Sequence, residues 1–354
     1  MHERHDNNFT FLRFAAASMV IVAHAYDLLN NESIKDPVNR VIGRSLGWIG
    51  VSIFFSMSGY LIMRSLDRTP NLLQFGRSRA LRIFPGLAVC TIVTIFFLSF
   101  FSSLPAIDYF SSGQTLKFLV GNSSLLSIQY VLPGVFEHNP MAGAVNGSLW
   151  TLPYEVLCYI LAAAACGFGL LQSNRQRIII MASTFVAILL FAAIHEHLPA
   201  TGIPGRLFIL ARLGACFLVG MAYASFRERF HLRLWHGIAL AAIAAATSKT
   251  PLYDITLSTA LAAVVLWLAF VPSPTLRRIS RLPDYSYGIY IYAFPIQQLI
   301  LDLVPTIPPA AHAIVAFLLV LVPASLSWHL IEKPALRLKN ASFKKSPTLA
   351  AEQD

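Results

Sequence analysis

Runs of about 20 predominantly apolar residues, the length that carries a helix across a bilayer, recur along this chain from residue 9 to residue 331. Such runs leave few options, because in hydrocarbon every backbone N–H and C=O must be paired within the protein, and a helix does this inside one segment. Ten spans are predicted, at roughly 9–29, 46–64, 84–104, 147–170, 177–194, 207–225, 234–248, 253–271, 286–304 and 311–331, the seventh being short. Between them, Asp67-Arg68-Thr69-Pro70, Pro272-Ser273-Pro274 and the proline-bounded stretch 305–309 read as loops. The first run is too long for a signal-peptide core and lacks a small-residue cleavage site, so it is expected to stay as a span. The expected fold class is an all-α polytopic membrane protein, with one transmembrane domain over residues 1–339 and a disordered cytoplasmic tail over 340–354.

Charge then gives the orientation. Only 12% of residues are charged and the mean hydropathy is +0.62, against roughly 25% charged in a soluble domain. With both termini cytoplasmic, 20 of the 27 Lys and Arg residues fall in the inner connections or at inner helix ends, and six in the outer ones. Cytoplasmic connections carry that kind of excess, so ten spans with both ends inside are expected. The net charge of +10 belongs to these clusters between spans rather than to a solvated basic face, which argues against a nucleic-acid partner. Cys90, Cys158, Cys166 and Cys216 lie inside apolar segments without CxxC or Cys/His spacing, so neither a disulfide nor a metal site is expected.

Ionisable residues inside spans are costly and are functional candidates by default. Arg13 and His24 lie on the first span eleven residues apart, almost three whole turns, so both face the same way with an axial separation of roughly 16 Å. Two readings suit His24: a working imidazole facing the bundle, or one bonded to a neighbouring carbonyl with Arg13 as an inner anchor. Arg77, Arg79 and Arg82 stand on the predicted inner loop before Ile83-Phe84-Pro85. Guanidinium groups grip phosphate oxygens bidentately and keep their charge; a positive-inside anchor is the plainer reading. The second span carries Phe54-Phe55-Ser56-Met57-Ser58-Gly59, where Ser58 suits close helix packing. The fourth span opens Ser148-Leu149-Trp150-Thr151-Leu152-Pro153-Tyr154-Glu155, which buries a carboxylate about two turns inside the outer boundary, near the depth of His24. Pairing of Glu155 with His24, Arg212 or bound substrate is expected.

At these residues the sequence resembles the membrane-bound acyltransferase family 3, which includes the O-antigen and exopolysaccharide O-acetyltransferases. Four motifs match in order: Arg13 with His24 after ten residues, Phe54-Phe55 with Ser58-Gly59, Arg79 with Arg82, and Ser148 to Glu155. Two further stretches are similar, Ser286-Tyr287-Gly288-Ile289-Tyr290-Ile291-Tyr292 and Ile331-Glu332-Lys333-Pro334. The resemblance covers residues 9–337. Many relatives have Asp where this chain has Ser52, and many have His where it has Ala293, so roles of those side chains do not transfer. No extra periplasmic esterase-like domain is recognised after the last span, and a second transfer step would fall to another protein.

The resemblance implies an integral membrane O-acyltransferase of the bacterial inner membrane, taking an acyl group from cytoplasmic acyl-CoA, acetyl-CoA above all, to a hydroxyl of a cell-surface glycan. O-antigen, lipopolysaccharide, exopolysaccharide or a lipid-linked precursor are the acceptors implied, with membrane lipids as surroundings. Arg79 and Arg82 would hold the CoA phosphates, with Arg13 at the inner mouth of a channel along the first span. His24 would serve as general base, or as a transient acyl carrier, and Glu155 would orient it. Ser58, Trp150 and Tyr154 would touch substrate, and Tyr130, Phe136 and Trp150 would wall the acceptor side. A different class of answer is a transporter or flippase with a His24, Glu155 and Arg212 proton relay; CoA binding separates the two. A structural or sensor protein would leave the buried ionisable residues without a role.

Overall fold

The computed structural model describes residues 7–29, 35–69 and 71–340. Each of the ten apolar segments forms a helix: α1 (Phe9–Asp27), α2 (Leu46–Arg68), α3 (Leu72–Leu98), α4 (Leu152–Gly167), α5 (Asn174–His195), α6 (Gly202–Phe226), α7 (Leu234–Ala246), α8 (Tyr253–Phe270), α9 (Ser286–Leu303) and α10 (Pro309–Ser327). No strand occurs among the described residues, and the chain is an all-helical polytopic membrane protein. The expected tail lies, from residue 341 onward, outside the described residues.

Eight of the segments are long and apolar enough to cross a bilayer. The other two are α7, with 13 residues, and α9, whose tyrosines and glutamines lower its hydropathy. The polarity of α9 has a physical reason, because it is enclosed by protein rather than lipid. Gln297 donates to the Ile21 carbonyl of α1 at 2.9 Å. Gln298 donates to the Met141 and Ala144 carbonyls at 3.0 and 2.6 Å. By contrast α5 buries only Met181 and Ala192, so apart from the side that packs on α6 its apolar surface faces outward, as lipid contact requires.

The third helix begins at Leu72 rather than near residue 84. Asn71 caps it by accepting from the Leu73 and Gln74 N–H groups, and nothing breaks the helix before Pro85, which it tolerates internally. The basic segment is therefore helical and not a loop. Arg79 and Arg82, three residues apart, share a face, while Arg77 points elsewhere and donates to the Leu338 carbonyl at 3.0 Å.

At the centre, α2 packs against α1 and α6. A Cβ at Gly59 would stand 1.9 Å from the Phe217 carbonyl oxygen, and one at Gly220 would stand 2.2 Å from the Ser56 carbonyl oxygen. Only glycine permits this backbone-to-backbone crossing, the small-residue packing that replaces the hydrophobic drive in lipid. Residues 105–146 fold as two short helices, Ala106–Ser111 and Gly113–Ser124, followed by irregular chain. Tyr109, Phe118, Leu132, Val135 and Phe136 form a separate small core with Ile95 and Leu98 at the end of α3. Phe136, expected on a sugar-facing wall, is buried in that core and cannot touch an acceptor.

Candidate active site

A cavity lies where α1, α2, α3, α4 and α9 converge. Arg13, Ser58, Arg79, Arg82, Glu155, Tyr159, Tyr287 and Tyr290 are among the residues that line it. Five of the side chains singled out in the sequence thus meet in one place, brought from four helices. The second turn of α1 and the third and fourth turns of α3 supply the cations, and the first turn of α4 supplies the carboxylate, in keeping with the preference for negative charge at a helix N-terminus.

Arg13 and Arg82 are bridged by one carboxylate. Arg13 Nη1 and Arg82 Nη2 donate to the same Asp284 oxygen at 2.9 and 3.0 Å. Ser286 donates to the other Asp284 oxygen. Burial alone would push the Asp284 carboxyl up, but the two guanidinium groups prevail and hold it at about 2, so it stays charged at any working pH. Arg79 differs: its Nε donates to the Ser78 hydroxyl at 3.2 Å, and it has no ion pair among the described residues. It is the cavity arginine with its charge still available. The Tyr287 hydroxyl donates to the Ile83 carbonyl at 2.7 Å and ties α9 to the arginine face of α3.

Glu155 takes partners other than those expected. The Ser58 hydroxyl donates to Glu155 Oε1 at 2.8 Å, and the Tyr159 hydroxyl donates to the same oxygen. Two hydroxyl donors on one carboxylate oxygen are charge-assisted bonds, the stronger kind, and they make the carboxylate tolerable at this depth without a cation in contact. Arg212, an expected partner, lies elsewhere, beneath Trp48. Ser58 is accordingly a cavity residue as well as the neighbour of the packing glycine.

His24 stands apart from the cavity. Its ring meets Phe294 edge-on with centroids 5.0 Å apart, and its Nδ1 is buried without a hydrogen-bond partner. The bland reading, an imidazole satisfied by a carbonyl, therefore fails at that nitrogen. Phe294 in turn abuts Gly147, where a Cβ would come within 2.5 Å of the ring. Gly147 opens the 3-10 turn Gly147–Thr151, whose far end reaches the cavity: Thr151 shares a 2.6 Å hydrogen bond with Tyr290, and the Tyr290 hydroxyl also reaches the Ser148 carbonyl at 2.6 Å. The turn thus links the ring that touches His24 to the wall of the cavity.

Trp150 and Tyr154 do not line the cavity. Their rings pack edge-to-face with centroids 6.0 Å apart, and Tyr154 lies near Tyr130 and within electrostatic reach of Arg206.

Sequence reading missed Asp284 and Tyr159. Asp284 is 271 residues from Arg13, and nothing local marks it except its place two residues before Ser286. Tyr159 had a local signal, being four residues after Glu155 on the same helix face.

The acyltransferase-domain family model matches residues 6–329. An O-acetyl transferase of Shigella phage Sf6 is 32% identical over 339 residues, covering 94% of this chain and 96% of the relative. Nodulation protein 10 of Rhizobium leguminosarum bv. viciae is 27% identical over 368 residues, covering 95% of each. No solved structure matches the chain.

Proposed function

The chain belongs to the acyltransferase-domain family and is a multi-pass membrane acyltransferase; from that premise we propose that it moves an acetyl group from cytoplasmic acetyl-CoA to a hydroxyl of a cell-surface glycan or its lipid-linked precursor at the bacterial inner membrane. The observation that carries this reading is the cavity in which three arginines face a hydroxyl-bonded carboxylate inside a membrane bundle. A polyanionic donor suits such a cavity, and an apolar solute does not. The excess of Lys and Arg in alternate connections supports cytoplasmic termini and an inner opening for the arginine end.

In this reading the CoA phosphates engage Arg79 first, because Arg13 and Arg82 are already bridged by Asp284. The pantetheine arm then extends past the Gly147–Thr151 turn toward His24, along a helix on which Arg13 and His24 stand roughly 16 Å apart. His24 accepts the proton of the acceptor hydroxyl as its oxygen attacks the thioester carbonyl carbon. The C–S bond breaks and CoA leaves as thiolate. Tyr130, Trp150 and Tyr154 hold the sugar by stacking. The phage relative is named an O-acetyl transferase, which supports acetyl as the group and oxygen as its destination.

The test is titration of acetyl-CoA into the purified protein, with O-acetyl content of the surface polysaccharide measured by mass spectrometry with and without the gene. Saturable binding and loss of acetyl groups are expected. A protein that fails to bind CoA would return the choice to a transporter.

A further inference from the structure

We propose that a small monovalent anion, of halide size, binds inside the bundle at Arg212, in a site separate from the arginine cavity. This goes beyond the acyl-transfer reading and does not depend on it. Arg212 is 6% exposed and lies on α6 with its guanidinium carbon 5.0 Å from the centroid of the Trp48 ring. Its Nη1 is buried with no hydrogen-bond partner, and it forms no ion pair among the described residues. The charged side chains within its electrostatic reach are Asp254 and Arg44, and these two are already paired with each other. Two guanidinium groups and one carboxylate leave one positive charge uncompensated. A water molecule can complete a hydrogen bond, but it cannot cancel that charge in a low-dielectric interior.

A second orphaned group lies close by. Ser258 Oγ, on α8, is also buried without a partner. Cys216, one turn beyond Arg212, joins the two: its thiol donates to the Ser258 carbonyl at 3.6 Å and lies beside the Ser52, Ser56 and Ser258 hydroxyls. The Ser52 and Ser56 hydroxyls are engaged within α2, donating to the Trp48 and Ser52 carbonyls. The donors left over are Arg212 Nη1 and the Ser258 hydroxyl, an N–H and an O–H flanking an excess cation. That is the ligand set of an anion. Ser52, Ser56, Cys216 and Ser258 are fully buried, so an ion held here is shielded from solvent.

The full-length protein in detergent, exchanged into sodium gluconate, is titrated with sodium chloride at constant ionic strength while the unfolding midpoint is followed. A saturable rise with chloride is expected. Arg212→Met, which keeps chain length and removes the charge, should abolish the dependence. Ser258→Ala should weaken the apparent affinity about tenfold, the loss of one hydrogen bond to a charged group. Bromide should quench a component of the tryptophan emission that disappears in Trp48→Phe; this readout uses the otherwise intact chain and survives a failure of Arg212→Met to insert. Equal midpoints in gluconate and chloride, an undiminished chloride response in Arg212→Met, or bromide quenching indifferent to Trp48→Phe would each overturn the site.

Discussion

The two ends of α1 carry the two ionisable residues that first drew notice, and their surroundings are opposite. Around Arg13 all charges but that of Arg79 are committed: Asp284 bridges Arg13 to Arg82, and the nearby Glu155 is held by Ser58 and Tyr159. Around His24 almost nothing is committed; an aromatic edge touches the ring and Nδ1 has no partner. A preorganised set of fixed charges suits binding, because its reorganisation is complete before the ligand arrives. An imidazole nitrogen without a hydrogen-bond partner suits proton transfer, because no bond must be broken before it accepts. In the proposed mechanism one helix therefore separates holding from reacting.

The sharpest way to break that division is His24→Ala. Acetyl transfer should fall by about 10²–10⁴, the usual worth of a general base, while acetyl-CoA affinity stays within twofold. Unchanged acetylation by correctly inserted protein would reject the assignment, and a parallel loss of CoA binding would merge the two ends into one site. Asp284→Asn comes next. It leaves Arg13 and Arg82 repelling each other, and since both are about one quarter exposed the cost should be about 2 kcal/mol, below the range for fully buried pairs. The unfolding midpoint should drop, yet CoA should bind more tightly, because two guanidinium groups are released. A looser CoA complex would show that Asp284 positions the arginines rather than competing for them.

Arg79→Ala should weaken CoA binding about tenfold, roughly 1.4 kcal/mol, with transfer at saturating donor nearly unchanged; Arg77→Ala, on the other helix face, serves as the control. The smallest effect concerns pH. The Asp284 carboxyl is lowered from 3.8 to about 2, so its contribution to stability is complete above about pH 4 and is lost only as pH falls toward 2. Between pH 5 and 8 the midpoint should not move in a way that Asp284→Asn removes. A midpoint that did so would mean that the triad is more loosely paired than its 2.9 and 3.0 Å contacts indicate.

Much of the scaffold was legible because lipid imposes a simple rule on sequence, long apolar helices with polar punctuation. The rule misreads the places where protein, not lipid, surrounds a segment. The basic start of α3 looks like a loop because charge is read as the end of a span, although Asn71 caps the helix well before Arg77. In the site, the spacing of Arg79 and Arg82 and the motif ending in Glu155 were visible. Their partners were not, since Ser58 lies 97 residues from Glu155, and only the crossing of α2 with its neighbours makes them adjacent.

The near-balance of charge in the cavity has a consequence for the proposed turnover. Arg13, Arg79 and Arg82 set against Asp284 and Glu155, with Glu332 also within electrostatic reach of Arg82, leave at most one surplus positive charge to face a ligand bearing several negative ones. A nest of three bare guanidinium groups would grip the spent thiol as firmly as the loaded thioester. With two carboxylates set beside the arginines, the proposed donor would be attracted weakly enough that the exhausted carrier could depart and the next one enter.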